Sequence, residues 1–188
     1  MNLAALPNLI CVLRILLVAP VGYAILDQRF GLALTMFVIA AVSDALDGFL
    51  ARRFGWITPL GQILDPTADK LLLVTVFVTL SVGGRVPAWL GLTAVLRDAV
   101  IAGGALAYHQ LCRSWGVGAT PVSKLNTTLQ LSFVSAVLVE AYARDTLPPA
   151  LLVALGAVMF VTTVVSGLDY VLTYGRLAAR ARSTVGRA

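Results

Sequence analysis

Charge is what this sequence has least of. Asp, Glu, Lys and Arg together make up 12% of its 188 residues, against 59% hydrophobic. Mean hydropathy is +0.91. A soluble domain carries about 25% charged residues, so a water-soluble globular protein is excluded. No stretch alternates apolar and polar residues over short segments, which excludes a spanning β-barrel. No Lys or Arg precedes the first apolar run and Arg14 interrupts it, so a cleaved signal peptide is not expected. Repeats of solenoid period, low-complexity segments and linkers are missing as well. Of the two cysteines, Cys11 and Cys112, both fall near the side read below as cytoplasmic, where a structural disulfide is not expected.

What the chain has is long apolar runs. A bilayer core takes about 20 such residues per helix. Six runs fit: Leu9 to Leu26, Phe30 to Phe49, Ile63 to Val82, Pro87 to Tyr108, Leu125 to Ala143, and Leu147 to Thr173. The expectation is an all-α, six-span membrane bundle forming a single domain over residues 1–188. Turn signals fall between the runs, at Asp27-Gln28-Arg29, Gly83-Gly84-Arg85 and Thr146-Leu147-Pro148-Pro149. Basic residues gather in or beside the second and fourth loops (Arg52, Arg53, Arg113, Lys124) and the tail (Arg176, Arg180, Arg182, Arg187). Both termini are therefore expected in the cytoplasm of a bacterium, with the chain in its inner membrane. The pI of about 9.7 follows from basic groups facing anionic headgroups, and nucleic-acid binding is not needed to explain it.

Ionisable groups inside a span cost roughly 2.5–3.5 kcal/mol each on insertion scales. A lone one is often a helix-to-helix hydrogen bond. Four aspartates in one short segment ask for more. The segment contains Asp44 and Asp47, three apart, and Asp65 and Asp69, four apart, so each pair shares a helix face. Both pairs flank the loop from Arg53 to Leu60, close to the cytoplasmic surface, where a water-soluble nucleotide can enter and leave. Facing carboxylates disfavour one another's ionised form unless protons or cations compensate. Oxygen-only ligands suit Mg²⁺, Mn²⁺ or Ca²⁺ and argue against zinc. Two such ions clamp the attacking and leaving oxygens of a phosphoryl displacement. Gly48, Ala51 and Gly61 share faces with the aspartates and leave room for a bulky ligand, although small residues also serve ordinary helix packing in membranes.

The order Asp44-x2-Asp47-Gly48-x2-Ala51-Arg52-x8-Gly61-x3-Asp65-x3-Asp69 resembles, without a departure, the signature of the CDP-alcohol phosphotransferases. The resemblance extends over essentially the whole chain. It implies two divalent cations, Mg²⁺ or Mn²⁺, on Asp44, Asp47, Asp65 and Asp69, with Asp69 also the general base. It further implies a CDP-diacylglycerol site bordered by Gly48, Ala51, Arg52, Gly61 and Lys70, and a homodimer in the membrane. Narrower stretches resemble the phosphatidyl-transferring members: Leu6-Pro7-Asn8-Leu9-Ile10-x3-Arg14, Asp65-Pro66-x-Ala68-Asp69-Lys70 and Arg97-Asp98. Ser123-Lys124-Leu125-Asn126-Thr127-x2-Gln130-Leu131 and Tyr174-Gly175-Arg176 resemble the CMP-forming cardiolipin synthases. Those join the phosphatidyl group to phosphatidylglycerol. The rival branch, phosphatidylglycerophosphate synthase, uses glycerol 3-phosphate and typically opens its fifth helix Gly-Lys-x-Lys-Thr. Here Asn126 stands in place of the second lysine, and a pocket with one cation fewer suits a phosphodiester better than a phosphomonoester.

Arg97 and Lys124 are the candidates for the acceptor's phosphate, with partnership to Asp98 and interfacial snorkelling as the alternatives. Arg14 either reaches the CDP phosphates or neutralises the carboxylates. Asn8 is a helix cap before it is a ligand, and His109 is a minor candidate base. Asp169 is expected to satisfy a polar contact within the bundle. A cation- or proton-coupled transporter is the reading from another class. Transporter sites lie at the midplane on broken helices of inverted repeats, whereas these aspartates lie near one surface and no such repeat is visible.

Overall fold

A computed structural model describes residues 6–54, 59–112 and 120–185, with side chains described over 10–44, 68–104 and 120–173 and at Leu46 and Arg53. The described chain is all helical, without strands. In order it forms α1 (Leu6–Leu26), α2 (Phe30–Phe54), α3 (Pro59–Val82), α4 (Ala88–Cys112), α5 (Pro121–Tyr142) and α6 (Pro149–Val185). Each of the six apolar runs is matched by one helix. Some of the helices outlast their runs: α2 continues past Phe49 to Phe54, and α6 continues past Thr173 to Val185. An apolar run ends where apolar residues give out, whereas a helix ends only where its backbone is capped or broken.

The caps are legible residue by residue. Three helices open on proline (Pro59, Pro121 and Pro149), where the missing N–H is not needed. Thr120 caps α5, its Oγ1 accepting from the Ser123 N–H at 3.2 Å. At the end of α1, Arg29 N–H reaches the Ala24 carbonyl (2.8 Å) and Gln28 N–H the Ile25 carbonyl (3.1 Å). That is a Schellman cap with Gln28 at φ 59°. The end of α3 repeats it: Arg85 N–H bonds to Leu80 O, Gly84 N–H to Ser81 O, and glycine takes the position at φ 67°. The α5–α6 turn is held by the Glu140 carboxylate, which accepts from the Asp145 and Leu147 N–H groups at 2.9 Å each.

The chain divides into two compact units. One comprises Met1–Gly91 and Val134–Pro148, the other Leu92–Phe133 and Pro149–Ala188. In the first unit α1 packs against both α2 and α3 through an apolar core of Val21, Phe37, Leu72, Val76, Phe77 and Leu80. The helices come close because small residues line the contact. A Cβ added at Gly22 would meet Thr75 Cγ2 at 2.8 Å. The core of the second unit is unusually polar: Arg97, Asn126, Gln130, Thr163 and Ser166 are buried there beside Met159, Phe133 and Tyr170.

The outside is apolar. Leu16, Ile39, Val78, Leu92, Leu125, Val161 and Leu168, spread over all six helices, are among the exposed large side chains, the reverse of a soluble protein and the pattern of a chain solvated by lipid. Among the described residues two helices are long and apolar enough to cross a bilayer, Pro121–Tyr142 and the Pro149–Thr173 part of α6. The apolar parts of α1 and α2 (Ile10–Leu26 and Phe30–Asp44) are shorter.

Candidate active site

Helix geometry sets the depth of the aspartates. Arg85, just beyond α3, stacks its guanidinium over the Phe30 ring that begins α2, 4.8 Å from the centroid. The C-terminal end of α3 and the N-terminal end of α2 therefore lie at one level. Asp44 is 14 residues along α2 from Phe30, and Asp69 is 13 residues back along α3 from Val82, about 20 Å in each case. Asp47 and Asp65 are each 17 residues from those same ends, about 25 Å. Two acid-bearing helices, both packed on α1, thus carry their carboxylate positions at matching heights, toward the far side of a hydrocarbon layer about 30 Å thick. The spacings of three and four now sit on continuous helix, so Asp44 shares a face with Asp47 and Asp65 with Asp69.

Asp44, Asp69 and Lys70 are partly exposed. The side chains of Asp47, Gly48, Ala51, Arg52, Gly61 and Asp65 lie outside the described residues, as do those of Asn8 and His109 and residues 55–58. Arg14 projects from α1 into the core, 1% exposed, and its Nη1 pairs with the Asp44 carboxylate, which is 42% exposed. The pair is an instance of the neutralising contact, one of the two roles open from the sequence, and the Asp44 carboxylate keeps part of its surface accessible. Among the described residues no three acidic, histidine or cysteine side chains gather as a metal site, with two of the four aspartates not represented in that set. The donor chemistry still fits hard cations: the four positions offer carboxylate oxygen alone.

Arg97 belongs to a different constellation, in the second unit. Its Nη1 donates to Asp98 Oδ1 at 2.6 Å, its Nη2 to Ser123 Oγ at 2.6 Å, and its Nε to Ser166 Oγ at 3.2 Å. The ion pair is dry, with side chains 3% and 8% exposed. The guanidinium proposed from sequence for an acceptor's phosphate is thus engaged by Asp98 and two serines. Lys124 is exposed on α5 and Asp169 is partly exposed on α6. One turn along α5 from Ser123, Asn126 is fully buried, its amide meeting Thr162 Oγ1 at 3.0 Å and Thr163 Oγ1 at 2.9 Å. Thr162, Thr163 and Ser166 were not singled out by sequence reasoning. Their spacing on α6, matched to 123, 126 and 130 on α5, was the available signal, since polar residues three and four apart mark one face.

Residues 4–181 match the family model for CDP-alcohol phosphatidyltransferase. The rat protein named cardiolipin synthase (CMP-forming) is 32% identical over 147 residues, covering 70% of this chain and 49% of that protein. A Mycobacterium tuberculosis protein named "Probable phosphatidylglycerophosphate synthase" is 34% identical over 189 residues, covering 90% of this chain and 81% of that protein. A rice protein named CDP-diacylglycerol–glycerol-3-phosphate 3-phosphatidyltransferase 1, chloroplastic, is 28% identical over 193 residues, 93% of this chain and 58% of the relative. The chain spans about half the length of the mammalian relatives it matches.

Proposed function

Because the chain belongs to the CDP-alcohol phosphatidyltransferase family, we propose that it transfers the phosphatidyl group of CDP-diacylglycerol to phosphatidylglycerol, giving cardiolipin and CMP. The observation that carries the reaction class is the pairing of Asp44 with Asp69 and of Asp47 with Asp65 at matching heights on two helices that share α1. These four would hold two divalent cations, Mg²⁺ or Mn²⁺, which supply positive charge to the pyrophosphate and to the CMP that departs.

The chain's own residues do the rest. Asp69 accepts the proton of the acceptor hydroxyl as that oxygen attacks the phosphorus bearing diacylglycerol. The new P–O bond forms as the P–O bond to CMP breaks. Arg14 balances part of the carboxylate charge from the core side, leaving the outward side of Asp44 for ligand. Gly48, Ala51 and Gly61 give the nucleotide backbone-level room, with Arg52 and Lys70 at its margin. All six helices span the membrane as one domain, a homodimer in a bacterial inner membrane, with residues 52–59 and the tail in the cytoplasm.

The acceptor follows from charge. Asn126 is neutral, buried and set among hydroxyl groups, and the cation nearest in sequence is the exposed Lys124. Phosphatidylglycerol, a phosphodiester, asks for less positive charge than a phosphomonoester. The second reading, phosphatidylglycerophosphate synthesis from glycerol 3-phosphate, is favoured by the mycobacterial relative, matched over 90% of this chain.

The test is CMP release from CDP-diacylglycerol in detergent with each acceptor, and identification of the lipid product. Cardiolipin from phosphatidylglycerol is expected, lost with a chelator and restored by Mg²⁺ or Mn²⁺. Phosphatidylglycerophosphate without cardiolipin would move the assignment to the second reading, and full activity after thorough chelation would end the metal assignment.

A further inference from the structure

The second unit contains buried polar atoms that none of the roles above uses. Asn126 and Gln130, one turn apart on α5, are 0% and 1% exposed. Asn126 Nδ2 and both Gln130 Nε2 and Oε1 have no hydrogen-bond partner among the described residues. Leaving one buried polar group unsatisfied costs about 1–3 kcal/mol, and native cores rarely keep three so close together. They are also aligned. Ser123 and Ser166 share the Arg97 guanidinium, and Asn126 meets Thr163. Three residues forward on α5 is three residues back on α6, as antiparallel helices require. The polar positions 123, 126 and 130 therefore form one seam, about 10 Å long, with a closed ion pair at one end and vacant amide valences at the other.

The chemistry of the seam selects its ligand. Thr163 Oγ1 lies 2.7 Å from Met159 O as well as 2.9 Å from Asn126, and Thr162 Oγ1 lies 3.0 Å from Val158 O. Each hydroxyl has one proton. When both are donated to the helix carbonyls, the Asn126 amide serves them best turned over, with its N–H groups on the threonine oxygens and Oδ1 left open. As placed, Nδ2 is the open atom. An anion satisfies only the second case and a cation only the first, while a hydroxyl group, donor and acceptor together, satisfies both. The surroundings agree, because Arg97 and Asp98 cancel and the other polar groups are neutral.

We infer that Asn126 and Gln130 form a binding site for the hydroxyl groups of a polyol head group, the glycerol of phosphatidylglycerol. The inference deepens the proposed function and rests on it for the identity of that lipid. Ordered water is the other source of the same chemistry, and the experiment separates the two. The purified full chain, in detergent and without CDP-lipid, is titrated with phosphatidylglycerol and with phosphatidylpropanol, which has the same phosphodiester but no head-group hydroxyls. Wild type should bind phosphatidylglycerol tighter by about five-fold or more, the scale of one net hydrogen bond. Gln130→Met, of similar volume, should bind the two lipids alike. Equal affinity in wild type, or discrimination undiminished in Gln130→Met, assigns the amides to water and overturns the inference. If that variant does not fold, Asn126→Ala is read in the same way. Absence of CMP release from CDP-diacylglycerol with every acceptor, alongside intact discrimination, would overturn the proposed reaction and leave this site standing.

Discussion

Among the described residues each unit of the molecule buries one arginine, and the two are neutralised in opposite ways. Arg14, at 1% exposure, is paired with a carboxylate that is 42% exposed. Arg97 is paired with a carboxylate that is 8% exposed and is further held by two serine hydroxyls. A buried charge with a half-exposed partner lends its field to the surface, where part of the Asp44 carboxylate remains accessible. A buried charge with a buried partner and satisfied donors is closed, and its field goes no further than the pair. The first unit therefore has the look of a site and the second of a scaffold with a polar seam. Substitutions in the first should cost turnover and in the second stability or selectivity.

The largest effect expected in the first unit is at Asp69. Asp69→Asn should lower turnover by about 10²–10⁴-fold, the contribution of a positioned general base, with CDP-lipid binding retained in part. Asp44→Asn should weaken nucleotide binding as well, because the cations that would receive the pyrophosphate lose a carboxylate. Near wild-type turnover in Asp69→Asn would place the base elsewhere, with His109 the next position to change.

In the second unit the comparison predicts a loss of stability. Arg97→Met removes the guanidinium from the buried Asp98 carboxylate, at about 3–5 kcal/mol. The double variant Arg97→Met/Asp98→Leu should recover most of that loss, as apolar replacements of whole buried pairs do. Arg14→Met should destabilise less, since water can solvate Asp44. Thermal unfolding of the four proteins in detergent checks the order. Arg14→Met proving the more damaging would erase the distinction between an open and a closed pair. A smaller effect tests the packing of the first unit: Gly22→Val pushes against Thr75 and should cost about 1–3 kcal/mol, as overpacking does.

Helix count and turn positions were legible in the sequence because apolar length and cap chemistry are local. Gln28, Gly84 and Pro149 mark the very places where the backbone turns or starts, whereas α3 and α5 begin four residues before their apolar runs, at Pro59 and Pro121. The lengths were less legible. The apolar runs stop at Phe49 and at Thr173, while α2 runs to Phe54 and α6 to Val185, since intrahelical hydrogen bonds are indifferent to a change of solvent. The aspartate signature could be read at once because its spacing is the chemistry. The seam could not, because a lone Thr, Ser or Asn in an apolar helix is uninformative until a second helix sets the register. The partners of Arg97 were hidden for the same reason: Asp98 is its neighbour in sequence, whereas Ser123 and Ser166 come to it from positions 26 and 69 residues away.

The smallest effect, and the sharpest test of selectivity in the second unit, is at Asn126. Replacing it by lysine adds a cation where the seam is neutral. The ammonium would find acceptors within reach of the same position: the Thr162 and Thr163 hydroxyl oxygens that now face the amide, and the Gln130 Oε1, which has no partner among the described residues, one turn along. Asn126→Lys should therefore fold, with some loss of thermal stability for the desolvated charge. Its use of glycerol 3-phosphate relative to phosphatidylglycerol should rise. The gain is on the order of 1 kcal/mol, the scale of a partly solvated ion pair, which corresponds to a several-fold change in the ratio of phosphatidylglycerophosphate to cardiolipin formed. The two products are separable by thin-layer chromatography or mass spectrometry, so a shift of that size is measurable in a competition assay. An unchanged ratio in a folded variant would remove charge at residue 126 from the determinants of the acceptor and leave the hydroxyl-reading role of the amide as the reason for asparagine there.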